Sequence, residues 1–408
     1  MRIYLSIKAL LILILLLPTV GRAAVEINIL GVTPMLPLYE TVGDTARLNC
    51  EMTFENNRFP LELVSWKVRA FYTGHAPVDF PGTPEDFWYN VRIRSLNNGF
   101  KDITPYWAGF FENGVYNQGA WKIPKRTRVL FYLPYTDYPL SDLPLSLTVY
   151  VKVRDTILHE ERELIFPIRP RLHSTDLLYI FPVGFDRFEP MAQSLDWFMG
   201  DHQPLLGDMH GSGHELYAAH RRVHKWWDGL DQPVLFNQRY AHDIAIRDAS
   251  GNTHAPFPAS GFKTVQSYYA WGKKVFAMAG GTVVHVVRDM GDNLIAGVIT
   301  PDGGAGNRVI IQHPNGESSI YAHLQFGSIP VEIQEGAMVS QGQLLGKVGN
   351  SGNSSEPHLH FTLQNRPVYE EHDCFPIRFV NISIRRDGEP DFQPWTTSLP
   401  SGVTIRIN

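Results

Sequence analysis

Gly346-Lys-Val-Gly-Asn-Ser-Gly-Asn-Ser-Ser-Glu-Pro-His-Leu-His-Phe361 is the stretch on which the reading of this chain turns. Its end reads as a β-strand entered from a Gly/Asn/Ser loop. Strand side chains alternate faces, so His358 and His360 point to one side while Leu359 and Phe361 point to the other. Two imidazoles on one face of a sheet, just past a tight loop, suit a metal or proton-transfer site. They also suit a solvated strand face, so His-x-His decides little without its neighbours.

The neighbours are informative. Upstream stand Asn237-Gln-Arg-Tyr-Ala-His-Asp-Ile-Ala245 and Gly272-Lys-Lys-Val-Phe-Ala-Met-Ala-Gly-Gly-Thr-Val283. Gly306-Asn-Arg-Val-Ile-Ile-Gln-His313 and Tyr321-Ala-His-Leu324 follow. Gly336-Ala-Met-Val-Ser-Gln-Gly-Gln-Leu-Leu-Gly346 then leads into the opening stretch. In this order and spacing the motifs resemble the LytM/lysostaphin-type zinc metallopeptidases, family M23, over roughly residues 236–365 with gaps. The resemblance implies a compact antiparallel β fold and hydrolysis of peptide bonds in the stem or cross-bridge of bacterial peptidoglycan. It implies one Zn2+ per chain, with Asp243 and His360 as ligands. It implies His323 and His358 as catalytic histidines.

These residue types fit that chemistry. Zinc takes imidazole nitrogen and carboxylate oxygen in a tetrahedral shell, and a catalytic site leaves one position for water. A neutral histidine can accept the proton of an attacking water and return it to the leaving amine. A charged one can stabilise the oxyanion. Which of His323 and His358 does which is not legible in sequence.

One position departs from the family pattern. The usual first ligand is a histidine four residues before the Asp, where this chain has Arg239. A guanidinium stays protonated and offers no lone pair. His242 is adjacent to Asp243, so on a strand it should face the other way. His220-Arg-Arg, followed by Gln238-Arg-Tyr-Ala-His-Asp, resembles a branch of the family in which His-Arg-Arg precedes such a motif. On that resemblance His220 is the expected third ligand; the plain alternative is a surface helix with scattered histidines. His214-Glu215 fails as a His-Glu-x-x-His helix because Ala218 occupies the last position. A second departure is an insertion over about 247–270, read either as a lid or as a passive surface loop, with His254 as a lesser ligand candidate.

Residues 24–168 read as an all-β domain. Leu48, Cys50, Met52 and Phe54 alternate with polar positions, as do Val64, Trp66, Val68 and Ala70, and Leu145 through Val153. The Cys50-to-Trp66 step loosely resembles an immunoglobulin-type core, so an immunoglobulin-like β-sandwich is expected. The fold class is therefore mainly β: this sandwich, then an antiparallel β LytM-type peptidase domain over 233–385. Pro167-Ile-Arg-Pro170 opens a segment, 169–232, read as a linker with helical and irregular parts that contributes to the peptidase domain. Leu216–Trp227 is its helical candidate. Residues 386–408 read as a C-terminal tail.

Arg2 and Lys8, the apolar run Ala9–Leu17, Pro18 and the small residues Gly21 and Ala23 read as a signal peptide over 1–23. The run is too short to span a bilayer, which needs roughly 20 apolar residues. Removing Arg2, Lys8 and Arg22 leaves 33 of the 36 basic residues against 41 acidic, a balance near −8. That argues against nucleic acid as a partner. An exported, periplasmic or extracellular location in a bacterium is expected, with no membrane span after cleavage. The substrate expected is a peptidoglycan peptide, with the β-sandwich available to a protein partner. Cys50 and Cys374 fall in different domains and read as separate buried thiols.

Two readings of function compete. The first is a zinc endopeptidase acting on peptidoglycan. The second, carried by Arg239, is an inactive domain of the same fold that regulates a cell-wall amidase or binds peptidoglycan. A catalytic domain acting on a Gly-rich protein is a third reading, which sequence does not test.

Overall fold

A computed structural model describes residues 27–33, 37–48, 50–57, 59–82, 91–95, 111–112, 115–116, 122–123, 127–133, 137–184, 196–200, 240–256, 263–300, 303–368, 374–386, 388–397, 399 and 403–408. The described chain is almost entirely β-strand, in antiparallel sheets. The expected signal peptide lies outside these residues. No helix among them is long and apolar enough to cross a membrane.

The N-terminal region places Ile27–Thr33, Glu51–Asn56, Thr127–Tyr132 and Val91–Ser95 side by side. A second sheet carries Lys122–Ile123, Leu61–Phe71, Ser146–Asp155 and Glu161–Ile168. Leu48, Cys50, Met52, Phe54, Trp66, Val68, Val149 and Val151 close one core. The alternation read from sequence fails at Leu145, which precedes the strand and is exposed, and slips at Val64. Leu63 rather than Val64 is buried, because the pairing register shifts where Lys152 meets Ser65 but Val153 meets Leu63. One extra residue in a strand turns every side chain beyond it to the other face.

The second region is built on a long antiparallel sheet. Its centre runs Gly281–Val287, Asn307–Gln312, Ser318–Leu324, Leu359–Gln364, His242–Arg247 and Asp196–Gly200 in spatial order. Val403–Ile407, Ile382–Arg386 and Gln393–Trp395 continue it. Residues 386–408 are thus not a tail: Ile405 pairs with Trp197, and Val403–Ile407 pairs along Ile382–Arg386. Their alternation of Val403, Ile405 and Ile407 is short, and its partner strand lies far back in the chain, so no local signal announces it. Asp196–Gly200, within the segment read as a linker, is likewise a sheet strand. The helical candidate Leu216–Trp227 lies outside the described residues.

Ser318–Leu324 and Leu359–Gln364 are buried along their whole length. One face packs Tyr321, Phe361, Leu359, Ile244 and Val309 into the main core. The other carries Ala305, Ile310, Ile320 and Ala322 in a small apolar cluster. A strand buried on both faces loses the hydrophobic–polar alternation that marks a half-exposed one.

The stretch after Pro170 is tied to this region through a part-buried hydrogen-bond cluster: His173 Nε2 lies 2.6 Å from Glu317 Oε1, and Tyr179 donates to the other carboxylate oxygen. Cys50 and Cys374 are both buried and are not joined in a disulfide.

Candidate metal and catalytic site

The site assembles across three adjacent strands. His360 stands opposite Asp243 on one side and opposite Ala322 on the other. Residues directly opposite in an antiparallel pair share a face. Asp243 and His360 therefore project on the Ala322 side, away from the main core. His358 lies two residues from His360 and shares its face. His242 pairs with Phe361 and turns into the core side with Ile244. Its ring is 2% exposed, and burial pushes its pKa down to about 4, so it is neutral at pH 7.

His323 reaches the site by a different device. Regular alternation would put it with Tyr321 in the main core. Instead its φ is 58°, the left-handed region, and the pairing register shifts between Asn307 and Val309 alongside it. Leu324 then returns to the main core while Ala322 stays on the opposite face. The single left-handed residue switches His323 to the Asp243 face. Such a conformation costs a side-chain-bearing residue roughly 1–2 kcal/mol, and the surrounding bonds hold it: His323 N donates to Ala305 O and its carbonyl accepts from Gly349 N.

Ligating atoms of His323, His358 and His360 all lie within 4.8 Å of one another, and all three rings are buried. His360 Nδ1 is 2.9 Å from Asp243 Oδ1, and His358 Nε2 is 3.5 Å from the same oxygen. The other ring nitrogens are committed to backbone. His323 Nδ1 donates to Ser351 O at 2.8 Å. His358 Nδ1 donates to Glu356 O at 2.7 Å. In the neutral rings these bonds leave both Nε2 lone pairs for the cluster. Burial, reinforced by the imidazoles of His358 and His360, holds His323 well below the ordinary histidine pKa.

This donor set fits a small divalent cation. Two ligands of a tetrahedral zinc with bonds of about 2.0–2.1 Å stand about 3.3–3.4 Å apart. The 2.9 Å and 3.5 Å separations from Asp243 Oδ1 bracket that span. A carboxylate and imidazole nitrogens converging in a buried cluster are the donor types that a divalent cation takes.

The loop that carries the two backbone acceptors is packed too tightly for side chains. A Cβ on Gly349 would meet Gln325 Cα and N at 2.3 Å, and one on Gly306 (φ 60°) would meet Ser351 O at 2.3 Å. These contacts bring the Ser351 carbonyl beneath His323. Sequence reasoning quoted this Gly/Asn/Ser loop without seeing its role. The signal was there in seven small or amide residues, Gly349–Ser355, just ahead of Glu356-Pro357 and His-x-His.

Of the other residues singled out, Tyr321 is fully buried and accepts from Met278 N at 2.8 Å. His254 turns to Ala255 O and the Tyr268 ring and stands outside the histidine cluster. The described part of the insertion is tied down: Val265 is buried, Val265 N donates to Leu294 O, and Ala296 N donates to Lys263 O. His220 and Arg239 lie outside the described residues. The described neighbours of that stretch flank the metal edge, since Gly200 pairs directly with Asp243 and Tyr240 precedes it by three residues.

Comparison with known proteins identifies residues 263–371 as a Peptidase family M23 domain. Asp243 lies upstream of the matched range and joins it through the sheet. The chain is 40% identical over 96 residues to the peptidoglycan DD-endopeptidase ShyA of Vibrio cholerae, covering 23% of this chain and 20% of that protein. It is 39% identical over 98 residues to the DD-carboxypeptidase/endopeptidase Mpg of Neisseria meningitidis, with 23% and 20% covered. The chain thus spans about a fifth of the length of these curated relatives. Among solved structures, lysostaphin from Staphylococcus simulans aligns at 17% identity and a TM-score of 0.19, covering 38% of this chain and 75% of that one.

Proposed function

We propose that this protein is an exported zinc metalloendopeptidase that hydrolyses peptide bonds in peptidoglycan stem peptides or cross-links. One observation carries the reading. His323 and His358 each commit Nδ1 to a backbone carbonyl, and each turns Nε2 toward the buried Asp243–His360 pair.

Asp243 and His360 are the proposed ligands of one Zn2+, with His220 as the third. His220 is named on the resemblance of its His-Arg-Arg motif and lies outside the described residues. Zinc bound there would supply a Lewis acid for the scissile carbonyl and acidify water.

The chain's own residues do the rest. His323 is held neutral, so its Nε2 lone pair is available to act as the general base. As water oxygen bonds to the carbonyl carbon, its proton passes to His323 Nε2. That proton then goes to the leaving nitrogen as the C–N bond breaks. His358 Nε2, when protonated, hydrogen-bonds the developing oxyanion. Carbonyl acceptors fix both tautomers and both ring planes, so little reorganisation accompanies the reaction. Substrate access from outside the cytoplasm agrees with the signal-like N-terminus, and a partner protein would be expected to dock on the N-terminal β-sandwich.

Arg239 supports the second reading, a catalytically inactive domain that binds peptidoglycan or regulates an amidase. One experiment separates the two. Zinc is measured in the purified mature protein and in His220→Ala, Asp243→Ala and His360→Ala, and each is incubated with purified peptidoglycan. Stoichiometric zinc in the wild type, lost in all three variants together with muropeptide release, supports the enzyme. A folded wild type that digests nothing after zinc is supplied rejects it. Zinc retained in His220→Ala rejects that ligand alone.

A further inference from the structure

The loop behind the two catalytic histidines is held by a pair of side chains that neither the family match nor the sequence motifs single out. Asn293 lies on the segment between Val287 and Asn307. Its Nδ2 is 2.9 Å from Asn350 O, 2.8 Å from Gly352 O and 3.1 Å from Ser354 O. An amide has two hydrogens, so three acceptors around one nitrogen saturate it. Its Oδ1 accepts from Thr300 Oγ1 at 2.8 Å, which fixes which end of the amide faces the loop. Beside it, Asp292 Oδ1 accepts Asn350 N at 2.7 Å and Oδ2 accepts Phe326 N at 2.8 Å. Asn350 Nδ2 returns a bond to Asn293 O at 2.8 Å.

These bonds interleave with the ones that aim the histidines. The carbonyls of residues 350, 352 and 354 go to Asn293. The carbonyl of Ser351, between them, goes to His323 Nδ1. The carbonyl of Glu356 goes to His358 Nδ1, and Ser354 Oγ, which donates to Asn350 Oδ1, lies 3.4 Å from the same nitrogen. Around Ser351, successive peptide units thus point in opposite directions: the carbonyls of 350 and 352 face the brace and that of 351 faces His323, while 354 and 355 face the 293–297 segment and 356 turns in to His358. Rotating one outward carbonyl swings its inward neighbour.

We propose that Asn293, oriented by Thr300 and backed by Asp292, is a positioning residue that sets the ring tautomer and plane of both His323 and His358. It touches neither ring and acts through the 350–356 loop. The proposal rests on the peptidase reading only for its kinetic consequence.

The test uses the full chain with 15N-labelled histidine, metal-free, and the variants Asn293→Ala and Thr300→Val. In the wild type, hydrogen-bonded Nδ1–H signals of His323 and His358 are expected, assigned by His323→Gln and His358→Gln. In Asn293→Ala both signals should be lost to solvent exchange, while the His360 Nδ1–H signal to Asp243 persists. Thr300→Val, the milder change, should weaken the same two signals and not the third, and stands in if Asn293→Ala does not fold. Unchanged His323 and His358 signals in the folded variants overturn the proposal, whatever happens to thermal stability. On purified peptidoglycan, Asn293→Ala should lower kcat by ~10–100-fold with KM unchanged, the range typical of lost support for an active-site histidine. A rise in KM alone would also overturn it. Because the resonance experiment needs no metal or turnover, it judges the brace even where the peptidase reading fails.

Discussion

His360 and Asp243 face each other across neighbouring antiparallel strands, with Nδ1 2.9 Å from Oδ1. Without metal this is a hydrogen bond in which the ring donates. On the zinc reading proposed above, the same two atoms would hold the cation, and the ring would give up that proton to do so. The register of one strand pair sets this contact.

Zinc affinity should accordingly rise with pH across the histidine range, with protons released on binding. Asp243→Asn keeps the shape and removes the charge. It should weaken zinc binding by on the order of 100-fold or more, since metal sites of this kind need a deprotonated ligand set. Competition titration with a chromogenic chelator reads this directly. An Asn variant that binds zinc like the wild type would show that Asp243 is no ligand.

His323 carries backbone strain that only its chemistry justifies. Glycine adopts its φ of 58° at little cost. His323→Gly should therefore equal or exceed His323→Ala in stability, by about 1 kcal/mol, although glycine ordinarily loses to alanine in strands. Both variants should lose activity by ~10²–10⁴-fold, as expected for removal of a general base. Urea denaturation checks the first statement. A glycine variant clearly weaker than the alanine one would mean that this backbone conformation is not strained.

His242 bears on stability rather than on the metal. Its folded pKa is about 4, pushed down by burial, against 6.5 for the ordinary value. Above pH 6.5 it is neutral in both states and contributes no pH dependence. As pH falls from 6.5 toward 4 the unfolded chain takes up a proton that the folded one refuses, so stability drops. The loss by pH 5 is about 2 kcal/mol from this residue, at 1.36 kcal/mol per unit. Its Nε2 is buried with no hydrogen-bond partner among the described residues. His242→Leu should thus flatten the stability profile between pH 7 and pH 5 and leave zinc content unchanged. Loss of zinc in that variant would contradict its placement on the core face.

Gly349→Ala should be destabilising by roughly 1–3 kcal/mol or more. The new methyl meets backbone atoms of Gln325 at 2.3 Å, and backbone cannot rotate aside as a side chain can. Relief would shift the loop that bears the Ser351 carbonyl, so activity should fall further than stability explains. Thermal melting alongside muropeptide release distinguishes the two effects. A variant with wild-type melting and activity would show the loop to be looser than this packing.

Much of the site was legible along the chain because it depends on local periodicity. His358 and His360 share a face because two residues separate them. His242 leaves that face because it neighbours Asp243. Five ordered motifs then tied Asp243, His323, His358 and His360 to a peptidase family, and residues 263–371 match it. What stayed illegible depends on contacts between distant segments. Alternation alone would have buried His323 beside Tyr321. Its turn to the metal face needs the left-handed residue and the register shift against Asn307–Gln312. The Val64 slip likewise lives in the pairing with Ser146–Asp155. Val403–Ile407 found one of its partners at Asp196–Gly200, far back in the chain. Nor does any sequence window show that Asn293 faces the carbonyls of Asn350, Gly352 and Ser354. Side-chain direction along a strand follows from covalent geometry and is written locally. Register, bulges and hydrogen bonds between loops are settled only when the whole sheet closes.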